Sequence, residues 1–95
     1  MPFVSLNGST YHYRMAGRAP EEAPVVVCIH GSGATGVVWS YQVSRLGKHF
    51  RVIVPDLPGH GESGGSVLDS ALAYAQWLDE FVQSIHVSSF YLCGH

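Results

Sequence analysis

The sequence predicts an α/β domain in which a β-hairpin precedes a strand–helix–strand–helix–strand run, a parallel layer with right-handed crossovers. Three observations carry this. Val25–Ile29, Phe50–Val54 and Phe90–Cys93 are short, mostly apolar runs rich in β-formers. The segments between them place apolar residues at helical spacing. Ahead of them, Asn7-Gly8 separates two β-prone stretches, the strongest local signal for a hairpin. With 95 residues, the chain 1–95 has room for one domain or part of one.

Taken in order, Phe3-Val4-Ser5-Leu6 and Ser9-Thr10-Tyr11-His12-Tyr13 are the hairpin arms. Ala19–Pro24 carries two prolines and two glutamates and reads as a surface loop. Val25-Val26-Val27-Cys28-Ile29 is continuously apolar, as in a strand covered on both faces. Trp39, Val43 and Leu46 follow at helical steps, and Gly47 is a natural stop. Phe50–Val54 is the next buried strand, ended by Pro55-Asp56. In the clearest helix, Leu68, Leu72, Ala75, Leu78, Val82 and Ile85 form a stripe, which Tyr74, Trp77 and Phe81 widen as core residues. Ser66 with Asp69 resembles a capping box with Asp in place of Glu. Phe90–Cys93 then leads into Gly94-His95.

Composition excludes several classes. A net charge of −2 leaves no basic footprint for nucleic acid. Charged residues make up 13%, about half the usual share, so part of the apolar surface is expected to be covered. The longest aliphatic run, Val25–Ile29, is far shorter than the roughly 20 residues of a membrane span. Met1-Pro2-Phe3-Val4-Ser5 lacks the features of a signal peptide, which makes a cytoplasmic setting the default expectation. Cys28 and Cys93 are too few for a disulfide scaffold and read as small buried hydrophobes. The six histidines and two cysteines show no metal-ligand spacing, so no metal site is expected.

The loop after the first apolar strand has two readings. Gly31, Gly33 and Gly36 satisfy G-x-G-x-x-G between a strand and a helix, and Asp56 ends the following strand 20 residues after Gly36. That pattern fits a dinucleotide-binding oxidoreductase, with a pyrophosphate on the glycine loop and a ribose on Asp56. Against it, His30 has no role in a phosphate turn, and Leu57–Ser63 is a glycine-proline loop that ribose binding does not require.

Taken together, His30-Gly31-Ser32-Gly33, Asp56-Leu57-Pro58-Gly59-His60-Gly61-Glu62-Ser63 and a terminal Gly94-His95, each at a strand end, resemble the α/β-hydrolase superfamily. The chain is similar to its N-terminal part, up to the Gly-x-Ser-x-Gly nucleophile elbow that Gly94 and His95 would open. The resemblance implies a serine hydrolase of a small carboxylic ester or related acyl substrate, using a Ser-His-Asp/Glu mechanism without a cofactor. It implies that no triad member lies within 1–95, and that the remainder of the same polypeptide completes the fold. It assigns the Ser32 backbone N–H, on a loop bent at Gly31 and Gly33, to the oxyanion hole. His30, Asp56, His60 and Ser63 brace the loops, and His95 is the variable residue beside the nucleophile, not the base. Gly33, where the Asp-nucleophile dehalogenases and epoxide hydrolases usually carry proline, favours the serine branch. A non-catalytic, ligand-binding member of the same fold is the alternative from a different class.

Overall fold

The computed structural model describes residues 3–18, 23–31 and 35–94. The hairpin is present: β1, Phe3–Leu6, pairs antiparallel with β2, Ser9–Gly17. Asn7 and Gly8 both take positive φ, at 50° and 84°, the backbone that matches the twist of two tightly joined strands. The second arm runs four residues past the expected Tyr13. Those extra residues pair antiparallel with the strand at Arg51–Pro55, so the hairpin is part of the main sheet.

Next come β3 (Val25–Ile29), a 3₁₀ turn (Gly36–Trp39), α1 (Ser40–Leu46), β4 (Arg51–Pro55), α2 (Ala71–Ser84) and β5 (Tyr91–Gly94). The strand order is β1-β2-β4-β3-β5. β3 is parallel to both neighbours, with Val26 opposite Val52 on one side and Tyr91 on the other. The sheet is therefore mixed, with a parallel centre and an antiparallel hairpin at one edge. β4 and β5 each begin and end one residue later than the sequence pattern suggests.

The unbroken apolar character of β3 and β4 follows from two separate cores. Side chains alternate across a strand. Val26, Cys28, Val52 and Val54 pack with Trp39, Val43, Leu46 and Phe50 from the α1 region. Val25, Val27 and Ile53 pack on the opposite face with Tyr11, Leu57, Trp77, Phe81 and Val82.

The long helix departs from expectation at its start. Its N-cap is Ser70, whose hydroxyl accepts from the Ala73 N–H at 3.1 Å. Ser66 and Asp69 lie in the preceding loop, so they form no capping box. Ser70 has a serine hydroxyl in the extended backbone that capping requires, and that placement outweighed the sequence pattern. The buried stripe is also displaced. Leu72 is 67% exposed and Ala75 is exposed, whereas Trp77, Phe81 and Val82 are buried. Trp77 stacks on Phe81 with centroids 5.1 Å apart, and Tyr11 and Tyr13 meet these rings edge-on. The larger apolar areas of the aromatics set which face turns inward.

Candidate functional site

The carboxyl ends of the parallel strands gather the chemistry-bearing residues. β3 runs into His30-Gly31, β4 into Asp56-Leu57, and β5 closes on Gly94. In open parallel sheets this is the edge where ligands bind. β3 lies between β4 and β5, and with Ile29 opposite Gly94 the chain leaves β3 and β5 side by side at this edge.

Asp56 is the hub of the site. Its side chain is buried, and each carboxylate oxygen accepts two donors. Oδ1 takes the Gly36 N–H at 2.7 Å and the Arg14 guanidinium at 3.3 Å. Oδ2 takes His12 Nδ1 at 2.8 Å and the Glu62 N–H at 3.2 Å. Burial alone would raise this carboxyl. The Gly36 N–H, His12, the Glu62 N–H and the Arg14 charge together more than reverse that, holding it below the ordinary carboxylate range. An ionised carboxylate only accepts, so Nδ1 of His12 carries the proton of that bond.

The same geometry resolves the glycine spacing. The 20-residue step from Gly36 to Asp56 is a direct hydrogen bond within the protein. Asp56 is 0% exposed, so it has no free face for a ribose hydroxyl. This corrects the dinucleotide reading. At Gly36 a Cβ would displace the tip of the Arg14 side chain, 2.5 Å away, and would crowd Asp56 Oδ1 and Val54 Cγ1 at 3.1 Å. Gly61 is required twice over, by a φ of +53° and by a Cβ position 2.5 Å from Asp56 Oδ2.

His30 is buried and engaged at both nitrogens. Nδ1 donates to the Gly31 carbonyl at 2.7 Å, and Nε2 accepts from the Leu57 N–H at 3.0 Å. A histidine so occupied ties the β3 loop to the β4 loop and has no nitrogen left for a substrate proton. His60 is buried beside it, ring centroids 5.1 Å apart, with Nδ1 donating to the Pro58 carbonyl. The Ser63 hydroxyl donates to the Asp56 carbonyl at 2.5 Å and accepts the His12 N–H at 2.9 Å. Gly94 is exposed, with nothing within 4 Å of where a Cβ would point. Ser32, Gly33 and His95 lie outside the described residues.

Sequence reasoning missed His12 and Arg14. They occupy alternate positions on β2, opposite in direction to Tyr11 and Tyr13. Two polar residues at that spacing inside a strand are a usable signal for a buried acid. Locating the acid also requires knowing that β2 lies beside β4. Among the described residues, no group of three or more His, Cys, Asp or Glu could hold a metal ion. No helix among them is long and apolar enough to cross a membrane.

The cysteines are register partners on β3 and β5, and both are free thiols. Cys28 is buried as expected, but Cys93 is exposed, because β5 has no neighbour on its outer side among the described residues. Burial, with the adjacent Cys93 thiol adding to it, pushes the Cys28 thiol up to about 11. Since the thiolate is the nucleophile, Cys28 is expected to resist alkylation near pH ~8 in the native full-length protein and to react after unfolding. A mass spectrum of the unreduced protein should show no bond between the two. A Cys28–Cys93 crosslink in that spectrum would refute this.

A sequence model described as "alpha/beta hydrolase fold" matches residues 24–95. The (E)-2-((N-methylformamido)methylene)succinate hydrolase of Acinetobacter baylyi is 33% identical over 90 residues, covering 94% of this chain and 33% of its own length. Among solved structures, the enol-lactonase of Burkholderia xenovorans superposes with a TM-score of 0.88 at 29% identity, over 98% of this chain and 36% of that one. The haloalkane dehalogenase DbeA of Bradyrhizobium elkani also gives 0.88, at 28% identity, over 99% of this chain and 32% of its own. The chain thus spans about a third of the length of the relatives it matches.

Proposed function

Because the chain belongs to the alpha/beta hydrolase fold family, we propose that its full-length protein is a serine hydrolase acting on a small carboxylic ester or related acyl substrate. The observation that carries this reading is the pairing of Ile29 with Gly94. It puts the carboxyl ends of β3 and β5 side by side, which supports a reading in which the loop after His30 and the turn after β5 bring an oxyanion donor and a nucleophile together. The relatives that are named hydrolase and enol-lactonase support an acyl substrate.

In this reading the residue after His95 is a serine on a tight strand-to-helix turn. Its Oγ attacks the acyl carbon while a histidine from beyond residue 95 takes the hydroxyl proton. An Asp or Glu orients that histidine. The carbonyl π electrons move onto oxygen, and the oxyanion is held by two backbone N–H groups. One is that of Ser32, and the other belongs to the residue after the nucleophile. Collapse expels the alcohol, which takes the proton from the histidine, and water then releases the acid by the same steps in reverse. His30, Asp56, His60 and Ser63 hold the loops and do not touch the substrate.

The likeness to a haloalkane dehalogenase sustains a second reading, in which an Asp stands at the nucleophile position. Gly33 in the loop favours serine over it. A fluorophosphonate probe applied to the full-length protein separates the two. Peptide mapping is expected to find the label one position past His95 and nowhere within 1–95. Label within 1–95, or NAD binding in place of labelling, would sink the serine reading. Absence of label together with haloalkane turnover would establish the Asp nucleophile instead.

A further inference from the structure

We propose that His12 and Glu62 form a proton-operated strap on the outer side of the buried Asp56 cluster. The Glu62 carboxylate fastens onto His12 Nε2 when that nitrogen carries a proton and lets go when it does not. The strap is independent of the reaction that the full-length protein performs.

The imidazole has one nitrogen committed and one open. Nδ1 lies 2.8 Å from Asp56 Oδ2 and, against an ionised carboxylate, is the donor of that bond. Nε2 is buried and makes no hydrogen bond to a described residue. It faces Glu62 Oε2 at 3.6 Å, within ion-pair range and beyond hydrogen-bond length. The ring is fully buried, whereas the Glu62 side chain is 63% exposed. The Glu62 backbone is already anchored, its N–H donating to Asp56 Oδ2 at 3.2 Å. Only the exposed carboxylate has to move, by a fraction of an ångström, to close the gap.

The two protonation states of the ring meet Glu62 in opposite ways. In the neutral ring Nδ1 holds the proton, so Nε2 presents a lone pair, which repels a carboxylate oxygen. In the imidazolium both nitrogens donate. Nε2–H is then a buried charged donor, costly to leave unmet, and the acceptor in front of it is Glu62. The surrounding charges favour the same partner. Among the described residues, β2 contributes Arg14, which reaches Asp56 Oδ1 at 3.3 Å. β4 and the loop after it contribute Asp56 and Glu62. β1 contributes only the uncharged Phe3 ring, 5.0 Å away. With the imidazole neutral this group carries one negative charge in excess, and the imidazolium cancels it.

The sign follows from linkage. The strap needs a protonated ring and an ionised Glu62, so its contribution is lost as the pH rises through the titration of His12. The test uses the full-length protein at pH ~5.5, between the ordinary glutamate and histidine ranges, and at pH ~8.5, above both. Glu62→Gln removes the carboxylate charge from an exposed side chain and leaves the backbone N–H on Asp56 in place. His12→Asn keeps a side-chain amide donor for Asp56 and cannot titrate. Urea unfolding is measured for Glu62→Gln in the wild-type background and again in the His12→Asn background.

At pH ~5.5, Glu62→Gln is expected to lower the folding equilibrium constant by about two- to fivefold, the range of an ion pair with one exposed partner. At pH ~8.5 the same substitution should cost nothing, since it removes a repulsion. In the His12→Asn background its effect should be the same at both pH values. An equal loss at both pH values in the wild-type background overturns the proposal. So does a difference between the two pH values that persists in the His12→Asn background, because Glu62 would then answer to another group. If His12→Asn does not fold, nitrogen-15 NMR of the imidazole replaces it. A His12 Nε2–H signal is expected at pH ~5.5, exchanging with water several-fold faster in Glu62→Gln, and is expected to vanish at pH ~8.5. Absence of that signal at pH ~5.5, or exchange unaffected by Glu62→Gln, overturns the strap.

Discussion

Asp56→Ala is expected to destabilise the full-length protein by about 3–5 kcal/mol, the usual cost of removing one partner from a buried ionic cluster. The loss arises from what remains. The His12 ring and the Gly36 N–H are buried donors that would keep no acceptor, and the Arg14 charge would lose its partner. Asp56→Asn should be nearly as harmful. Each oxygen accepts two donors, so either orientation of the amide turns its NH₂ against a donor pair. A urea unfolding midpoint measures both, and a midpoint for Asp56→Ala within error of wild type would refute the hub. The pH dependence has a definite sign. The folded carboxyl lies below its ordinary value of 3.8. Its contribution is thus fully present above that value and is lost as the pH falls through the lower, folded one. Asp56→Ala should accordingly lose the part of the acid sensitivity that this group supplies.

Gly33→Val is expected to lower kcat by about 10²–10³, equivalent to roughly 2.7–4 kcal/mol of transition-state stabilisation, as for loss of one oxyanion donor. In the proposed reading, a branched side chain would restrict the backbone that aims the Ser32 N–H. Ser32→Ala keeps that N–H and should be mild. The contrast discriminates because it assigns the work to a backbone group. Abolished turnover in Ser32→Ala beside full activity in a folded Gly33→Val protein would place the donor elsewhere. Steady-state kinetics on an activated ester, with circular dichroism as the check on folding, provides the comparison.

Much of the framework was legible because it is written locally. Asn7-Gly8 specifies its own turn, and the unbroken apolar runs of β3 and β4 report burial on two faces. The start of α2 was misread for an equally local reason. Ser66 and Ser70 both offer a capping hydroxyl, and which one caps depends on where the aromatic face of the helix meets the sheet. The exposure of Cys93 could not be read at all, since it depends on what lies beyond β5. At the site, the strand ends and Asp56 stood out from their motifs. The partners of Asp56 did not, because His12 is 44 residues away. An antiparallel neighbour inserted beside a parallel layer leaves no trace in the spacing of residues. Only the alternation of His12 and Arg14 hinted that β2 has a polar account to settle inside the protein.

The strand order β1-β2-β4-β3-β5 also imposes a schedule on the growing chain. The hairpin is made before the other strands of this sheet, yet β2 pairs with β4, not with the strand that follows it. His12 emerges 44 residues before Asp56, which is roughly 2–9 s at a synthesis rate of ~5–20 residues per second. Closing a short loop takes well under a microsecond and forming a hairpin only ~1–10 μs, so the hairpin spends nearly all of that interval without its sheet partner. Through it, the edge of β2 and the histidine and arginine on its polar side stay hydrated at the ribosome. β3 appears next and cannot complete the layer either, because its neighbour on that side is still unmade. Emergence of the Arg51–Glu62 stretch from the ribosome is the moment at which both waiting pieces gain their common partner. Slowing the ribosome once that stretch has emerged should therefore favour correct assembly, and slowing it before emergence should lengthen the exposure of two unpaired strand edges.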